Sequence, residues 1–202
     1  MQNKHFILIT SGILKGRKIS VLSSQITRST KARVADSFFN SVRQILKNSV
    51  FIELFGGSGL MAIRAVSEGA NTAHAIECDK SSFDVLNENI NKANQALEQI
   101  LKFQNFKILN AHFGDTFILT PKIVANNENI ILYADPPFDI RQGFIKIYDA
   151  CQRLLASLPK DKIKLICIEH LSAAKLPENI GEFALIKQKA FGNSTLSYYK
   201  IL

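Results

Sequence analysis

No apolar run in the 202-residue sequence approaches the roughly 20 residues needed to cross a bilayer. The first such run, Phe6-Ile7-Leu8-Ile9, is too short for the core of a signal peptide. A cytoplasmic protein is therefore expected. Cysteine is scarce as well: Cys78, Cys151 and Cys167 lie far apart with no paired spacing, and the four histidines do not cluster with them. That pattern offers no metal site, zinc included, and all three cysteines are expected to be reduced and mostly buried. Charged residues make up 21% and apolar residues 47%, which excludes a disordered chain and suits one domain with a small appendage. Internal repeats and low-complexity tracts are absent too.

Acidic residues are nearly missing from the first quarter. Residues 1–47 hold nine Lys or Arg and a single acid, Asp36, so this segment carries the whole net charge of +8. The remaining 155 residues balance 16 basic against 16 acidic groups. A basic quarter joined to a neutral domain is the footprint of a face that meets nucleic acid. The plain alternative is a solvated surface that serves solubility, and charge alone does not separate the two.

Two short apolar stretches, 6–10 and 17–22, flank Ser11-Gly12 and Lys15-Gly16-Arg17, which predicts a small hairpin. Val34, Phe38, Val42, Ile45 and Leu46 recur at helical spacing, predicting a helix over 30–47 with Ser29 or Thr30 as its N-cap. Strands are then expected at 50–55, 72–77, from 107, at 130–134 and at 163–168. Helices are expected at 58–68, closed by Gly69, at 80–95 and at 142–156. Residues 182–190 and 194–201 read as a closing hairpin. Residues 91–105 fit either one long helix or a broken one. Strands alternating with helices give a doubly wound α/β sheet, with an antiparallel pair at one edge. The expected organisation is a basic β-hairpin extension over 1–28 followed by a Rossmann-like domain over 29–202.

The strand at 50–55 runs into Phe55-Gly56-Gly57-Ser58-Gly59 ahead of a helix. Glycines there let a ligand approach the backbone, and the helix start offers unpaired N–H groups. Gly57-x-Gly59-x-x-Ala62 with Glu77 twenty residues on also satisfies the dinucleotide fingerprint, so nicotinamide and S-adenosylmethionine readings both survive at this point. A simple turn from strand to helix is the third reading. Two acids favour S-adenosylmethionine. Glu53 precedes the glycines, where it pairs naturally with a cationic amino-acid end but repels a pyrophosphate. Glu77 ends the next strand, where ribose hydroxyls can donate to it. Asp115 follows the third strand and is a candidate acceptor for an adenine amino group; its other reading is a cap for the following turn.

Asp135-Pro136-Pro137-Phe138 follows the fourth strand directly. Pro-Pro also ends strands for purely structural reasons, yet the chemistry supplies a use for each position. An aromatic amine is a weak nucleophile because its lone pair is delocalised into the ring. The Asp135 carboxylate and the Pro136 carbonyl are two acceptors that draw its hydrogens, and the prolines, Pro137 included, stiffen the loop that holds them. Phe138 offers a surface on which a flipped base can stack. Methyl transfer to that amine then needs in-line placement above all.

These motifs, in this order, resemble the RsmD family, bacterial 16S ribosomal RNA guanine-N2 methyltransferases, over nearly the whole chain. The resemblance rests on Ser11-Gly12, Lys15-Gly16-Arg17-Lys18, Arg28-Ser29-Thr30, Arg33-Val34, Phe39-Asn40, the glycine loop, Glu77-Cys78-Asp79, the Asp-Pro-Pro-Phe tetrapeptide and Ile168-Glu169. It implies S-adenosylmethionine as cofactor, held by the glycine loop with Thr30, Glu53, Glu77, Cys78, Asp115 and Asp135, and Thr30 closing over it. It implies one guanosine of small-subunit rRNA as target, within a 30S particle or assembly intermediate. It also implies an N-terminal extension that contacts RNA through Lys15, Arg17, Lys18, Arg28, Lys31 and Arg33. A monomer suffices for that task. The chain departs from the family pattern at Ser29, usually Pro, at Ala32, usually an acid, and at Ala35-Asp36, usually Arg-Glu. Competing readings are a DNA adenine-N6 or cytosine-N4 methyltransferase, a glutamine-directed protein methyltransferase, an NAD oxidoreductase and a non-catalytic RNA-binding assembly factor. Short length argues against the first, the basic N-terminus against the second, the lack of a placed His, Lys or Tyr acid against the third, and an intact Asp135 against the last.

Overall fold

The computed structural model describes residues 5–22, 28–102, 108–137 and 145–202, with side chains described from Lys31 in the second stretch and from Lys146 in the fourth. Strands β1 (His5–Leu8) and β2 (Lys18–Val21) form the expected hairpin. Helix α1 (Arg28–Leu46) leads to β3 (Val50–Leu54), α2 (Leu60–Ser67), β4 (Thr72–Glu77), α3 (Lys80–Leu101) and β5 (Leu109–Phe113). Then come α4 (Thr116–Ala125), β6 (Ile130–Ala134), α5 (Ile145–Ala156), β7 (Ile163–Leu171), β8 (Asn179–Ile180), β9 (Phe183–Phe191) and β10 (Ser194–Lys200). Among the described residues, no helix is long and apolar enough to cross a membrane.

Strands β3 to β10 form one sheet in the order β5-β4-β3-β6-β7-β10-β9-β8. The first five are parallel, and β10 runs antiparallel between β7 and β9. The chain reverses its direction of travel across the sheet between the neighbours β3 and β6. Ligands of open α/β sheets bind beyond the strand ends at such a point. Every residue of β6 is buried, as expected of a parallel strand covered on both faces. One face packs against α1, α2, α3 and the hairpin; the other contacts α4 and α5. Phe38, Phe51, Tyr133 and Tyr198 form an aromatic cluster under α1.

The hairpin shares the main core: Ile7, Ile9, Leu14, Ile19 and Val21 pack with the α1 side of the sheet. Its turn is pinned to the last residue of α2. The Ile13 N–H donates to the Ser67 carbonyl at 2.8 Å and the Ser67 hydroxyl to the Ser11 carbonyl at 2.8 Å. Gly12 (φ 80°) is essential here, because a Cβ would lie 1.9 Å from the Ser67 carbonyl oxygen. Buried Arg64 ties the same corner together, donating to Asp36 at 2.7 Å and Glu68 at 2.6 Å with Phe39 beneath its guanidinium. Asp36, the lone acid of the basic quarter, is thus the partner of a buried cation.

Several expectations change. Helix α1 begins at Arg28, so Ser29 and Thr30 lie within it rather than capping it. Ile45 falls off the buried stripe and is 37% exposed. Cys78 is exposed, because it sits just past the end of β4, while Cys151 and Cys167 are buried. The ambiguous stretch resolves into a single helix through Leu101, ended by Lys102 in the left-handed region (φ 58°). Helix α4 was not among the expected elements; Asp115 caps it and the helix runs through Pro121. Strand β7 extends to Leu171 because β10 pairs along its whole end.

Candidate active site

The glycine loop leaves β3 at the crevice edge, with Phe55 (φ 62°), Gly57 (φ 52°) and Gly59 (φ 74°) all left-handed. At Gly59 a Cβ would meet Leu86 Cδ1 at 2.5 Å, so close packing of α3 on the loop demands glycine. The Gly59 N–H donates back to the Gly56 carbonyl at 2.7 Å, and the Gly56 N–H donates to Ile76 on β4 at 2.6 Å. Ser58 is buried, and its carbonyl accepts from the Asn89 side chain. Phe55 and Phe117 stand edge to face at 6.0 Å beside the loop.

Acidic side chains gather at successive strand ends. Glu77 accepts from the Gly57 N–H at 2.9 Å and from the Cys78 and Asp79 N–H groups at 2.8 Å each. An ionised carboxylate offers about four acceptor sites, so capacity remains for a ribose hydroxyl. Asp115 accepts from the Phe117 N–H at 2.7 Å and caps α4; the cap reading is what the geometry records, and its second oxygen is a candidate acceptor. Buried Glu53 accepts from the Ala62 N–H at 2.9 Å in the first turn of α2. Burial pushes its carboxyl up to about 8 against those helix N–H bonds, with the Asp135 charge adding to the rise. An acid so placed gains from any cation brought beside it.

Asp135 follows β6, one sheet position from Leu54. Its carboxylate is one quarter exposed and lies 3.9 Å from Lys31 Nζ. Burial and the nearby Glu169 raise Asp135 to about 7, while Lys31 pulls it down. Glu169 near the end of β7 is buried and accepts the Tyr133 hydroxyl at 2.6 Å. Pro136 is buried and Pro137 exposed. Phe138 lies outside the described residues, as do the side chains of Arg28 and Thr30.

The structure therefore brings Glu53, the glycine loop, Glu77, Cys78, Asp115 and Asp135 to one edge. Sequence reasoning gave no role to Tyr133 and Glu169. The available signal was a carboxylate in an otherwise apolar strand, which a parallel sheet does not bury without a partner. Lys31, expected on RNA, stands next to Asp135. Lys15, Arg17 and Lys18 are exposed at the hairpin turn. That turn is fastened to the far end of α2, a helix length (about 12 Å) from the glycine loop. Arg33 is exposed on α1.

The left-handed glycine loop, the carboxylate with spare acceptors at the β4 end and the acid facing the β3/β6 crevice fit S-adenosylmethionine, and the strand order is Rossmann-like. Fold and cradle together define an S-adenosylmethionine-dependent methyltransferase. The model of the family described as conserved hypothetical protein 95 matches residues 7–200; the chain belongs to this family, the RsmD family. Ribosomal RNA small subunit methyltransferase D of Buchnera aphidicola is 31% identical over 140 residues, covering 69% of this chain and 66% of that protein. The Escherichia coli protein yhhF superposes with a TM-score of 0.73 at 24% identity over 98% of each chain. An RNA methyltransferase of Salinibacter ruber, solved with S-adenosyl-L-homocysteine, superposes with a TM-score of 0.55 at 14% identity, over 84% of this chain and 90% of that one.

Proposed function

We propose that this protein methylates the exocyclic N2 amino group of a guanosine in small-subunit ribosomal RNA, within a 30S particle or an assembly intermediate. The observation that carries this reading is Asp135: a carboxylate on a proline-stiffened turn, directly across the β3/β6 switch point from the glycine loop. The name of the Buchnera relative supports rRNA as the substrate class.

Glu77 would accept the ribose hydroxyls of the cofactor, Asp115 would accept from its adenine amino group, and Glu53 would face its cationic amino-acid end. Thr30 and Cys78 would border the same pocket. The bound cofactor supplies an electrophilic methyl group on a sulfonium. Asp135 and the Pro136 carbonyl accept the two amine hydrogens and turn the nitrogen lone pair toward that methyl, while Phe138 stacks on the flipped base. Asp135 would take the proton that the amine releases as it is methylated. A carboxyl with a pKa near 7 accepts such a proton and returns it to water readily. Lys31 and Arg33 would meet the RNA backbone near the flipped base. The hairpin extension would meet it farther away through Lys15, Arg17 and Lys18, and Arg28 is a further candidate contact.

The test incubates the protein with methyl-labelled S-adenosylmethionine and, separately, protein-free rRNA, small-subunit particles and DNA, then maps the label. Label on one guanine N2 of small-subunit rRNA is the expected result. Label on DNA adenine or cytosine would replace the reading, and RNA binding without any label would make the chain a non-catalytic assembly factor.

A further inference from the structure

The sequence beyond residue 47 is neutral in sum, yet the fold does not leave it neutral in space. A groove of about 660 Å³ opens between the C-terminal half of α1 and strands β7, β10 and β9. Its charged lining is Lys160, Lys164, Lys187 and Lys200 against one acid, Asp161. Lys160 also pairs with Glu182 outside that lining.

The floor is apolar and partly uncovered. Ile45 is 37% exposed and Ile186 48% exposed, large side chains left in water on the two walls. Tyr198 lines the base, and among the described residues its buried hydroxyl makes no hydrogen bond of normal geometry. The Ser41 hydroxyl on the α1 wall already donates to the Ser37 carbonyl and accepts from Lys187. Lys187 Nζ lies over the Tyr198 ring at 5.4 Å, so this one lysine covers the aromatic floor. A buried hydroxyl without an acceptor carries a cost, and a ligand that draws Lys187 aside and offers an acceptor removes it.

We propose that this groove holds a second segment of the RNA substrate, with phosphates on Lys164, Lys187 and Lys200 and a sugar or base edge over Ile45, Ile186 and Tyr198. This rests on the rRNA reading above. Charge complementarity selects a polyanion, since the sheet side of the groove carries four lysines against one acid, while the α1 wall (Ser41, Gln44, Ile45) is uncharged. The floor selects a polyanion with flat apolar faces and hydroxyl or carbonyl acceptors, which is nucleic acid rather than an acidic peptide. Position agrees. Lys31 reaches Asp135, and Ser41 and Ile45 follow ten and fourteen residues later on the same helix, about 15–21 Å along its axis. Tyr198 pairs with Cys167, two residues before Glu169, on the face of the sheet that α1 covers. A strand whose base is held at Asp135 can follow α1 into the groove.

The test compares wild type with Lys164→Glu/Lys187→Glu/Lys200→Glu and with the neutral Gln triple, both checked for native circular dichroism. Affinities for protein-free small-subunit rRNA and for 30S particles are measured at several salt concentrations, with S-adenosylmethionine affinity as control. The expected result is weaker binding to both RNA forms, a log–log salt slope shallower by about 2 units because three phosphates are no longer neutralised, and unchanged cofactor affinity. An unchanged slope in the triple variants, with a wild type that binds and methylates rRNA, overturns the groove alone. Weakening seen only with particles means that the groove docks a ribosomal protein, and overturns it too. A wild type that binds and labels no rRNA overturns the functional reading on which the groove rests.

Discussion

The outer and inner parts of the crevice edge hold their acids in opposite ways. At the ends of β4 and β5, Glu77 and Asp115 are satisfied by backbone N–H groups at 2.7–2.9 Å, those of their own turns and, for Glu77, that of Gly57 in the glycine loop as well. At the ends of β3, β6 and β7 stand Glu53, Asp135 and Glu169, and burial and repulsion from a neighbouring acid raise Glu53 to about 8 and Asp135 to about 7. Backbone hydrogen bonds hold a carboxylate in a fixed orientation, which suits holding a ligand. Burial beside another acid produces one that exchanges a proton near neutrality, which suits chemistry.

The largest test of this division is Asp135→Ala. It should leave the fold intact and, at saturating cofactor, lower single-turnover methyl transfer by roughly 10²–10³-fold, the usual effect of deleting one preorganised polar group at a reacting centre. Near-normal turnover would reduce Asp135 to a turn residue. Glu77→Ala should do the reverse. Hydrogen bonds to a charged acceptor contribute about 1.5–3 kcal/mol, so S-adenosylmethionine affinity measured by calorimetry should fall about 10–100-fold in the folded variant. Wild-type affinity would remove Glu77 from the cofactor site.

A third test addresses the proton. Asp135 must be ionised to accept, so the single-turnover rate should rise with pH, about tenfold per unit, and level off above about 7. Lys31→Met removes the nearby cation and should move the midpoint up; Glu169→Gln removes the repelling charge and should move it down. Midpoints that ignore both variants would assign the profile to another group. The raised pKa also has a stability sign. The native state keeps a proton that the unfolded chain releases near 4, so this contribution to stability is lost as pH rises from about 4 to 7.

The smallest effect is expected at the hairpin turn, far from both sets of acids. Neutralising Lys15, Arg17 and Lys18 should flatten the salt dependence of RNA binding by about 0.7–0.9 units for each phosphate that these side chains neutralise, with cofactor affinity unchanged. An unchanged slope would move the N-terminal RNA contact to Lys31 and Arg33.

Much of this was legible in the sequence because it is written over short spans. Alternating strand and helix periods, the glycine loop, Glu77, and Asp135 directly after an apolar run each depend on a few consecutive residues, and β4 and β6 match the expected bounds. The family resemblance rests on the same local blocks. Pairings between distant residues were not legible. Tyr133 meets Glu169 across 36 residues, Arg64 meets Asp36 across 28, and Lys187 meets Ser41 across 146. Helix α4 was not legible either: its ten residues contain Pro121, and an N-cap at Asp115 and packing of Ile123 and Val124 on the sheet hold it together.

The sequence by itself determined the fold class and the acids that point to S-adenosylmethionine, since hydrophobic period and turn chemistry are local properties of the chain. Only the tertiary structure decided that Glu53 and Asp135 are raised toward neutrality, because desolvation depends on what packs over a carboxylate. It alone decided that a neutral stretch of sequence presents a lysine-lined groove, because net charge adds along the chain while electrostatic potential adds in space.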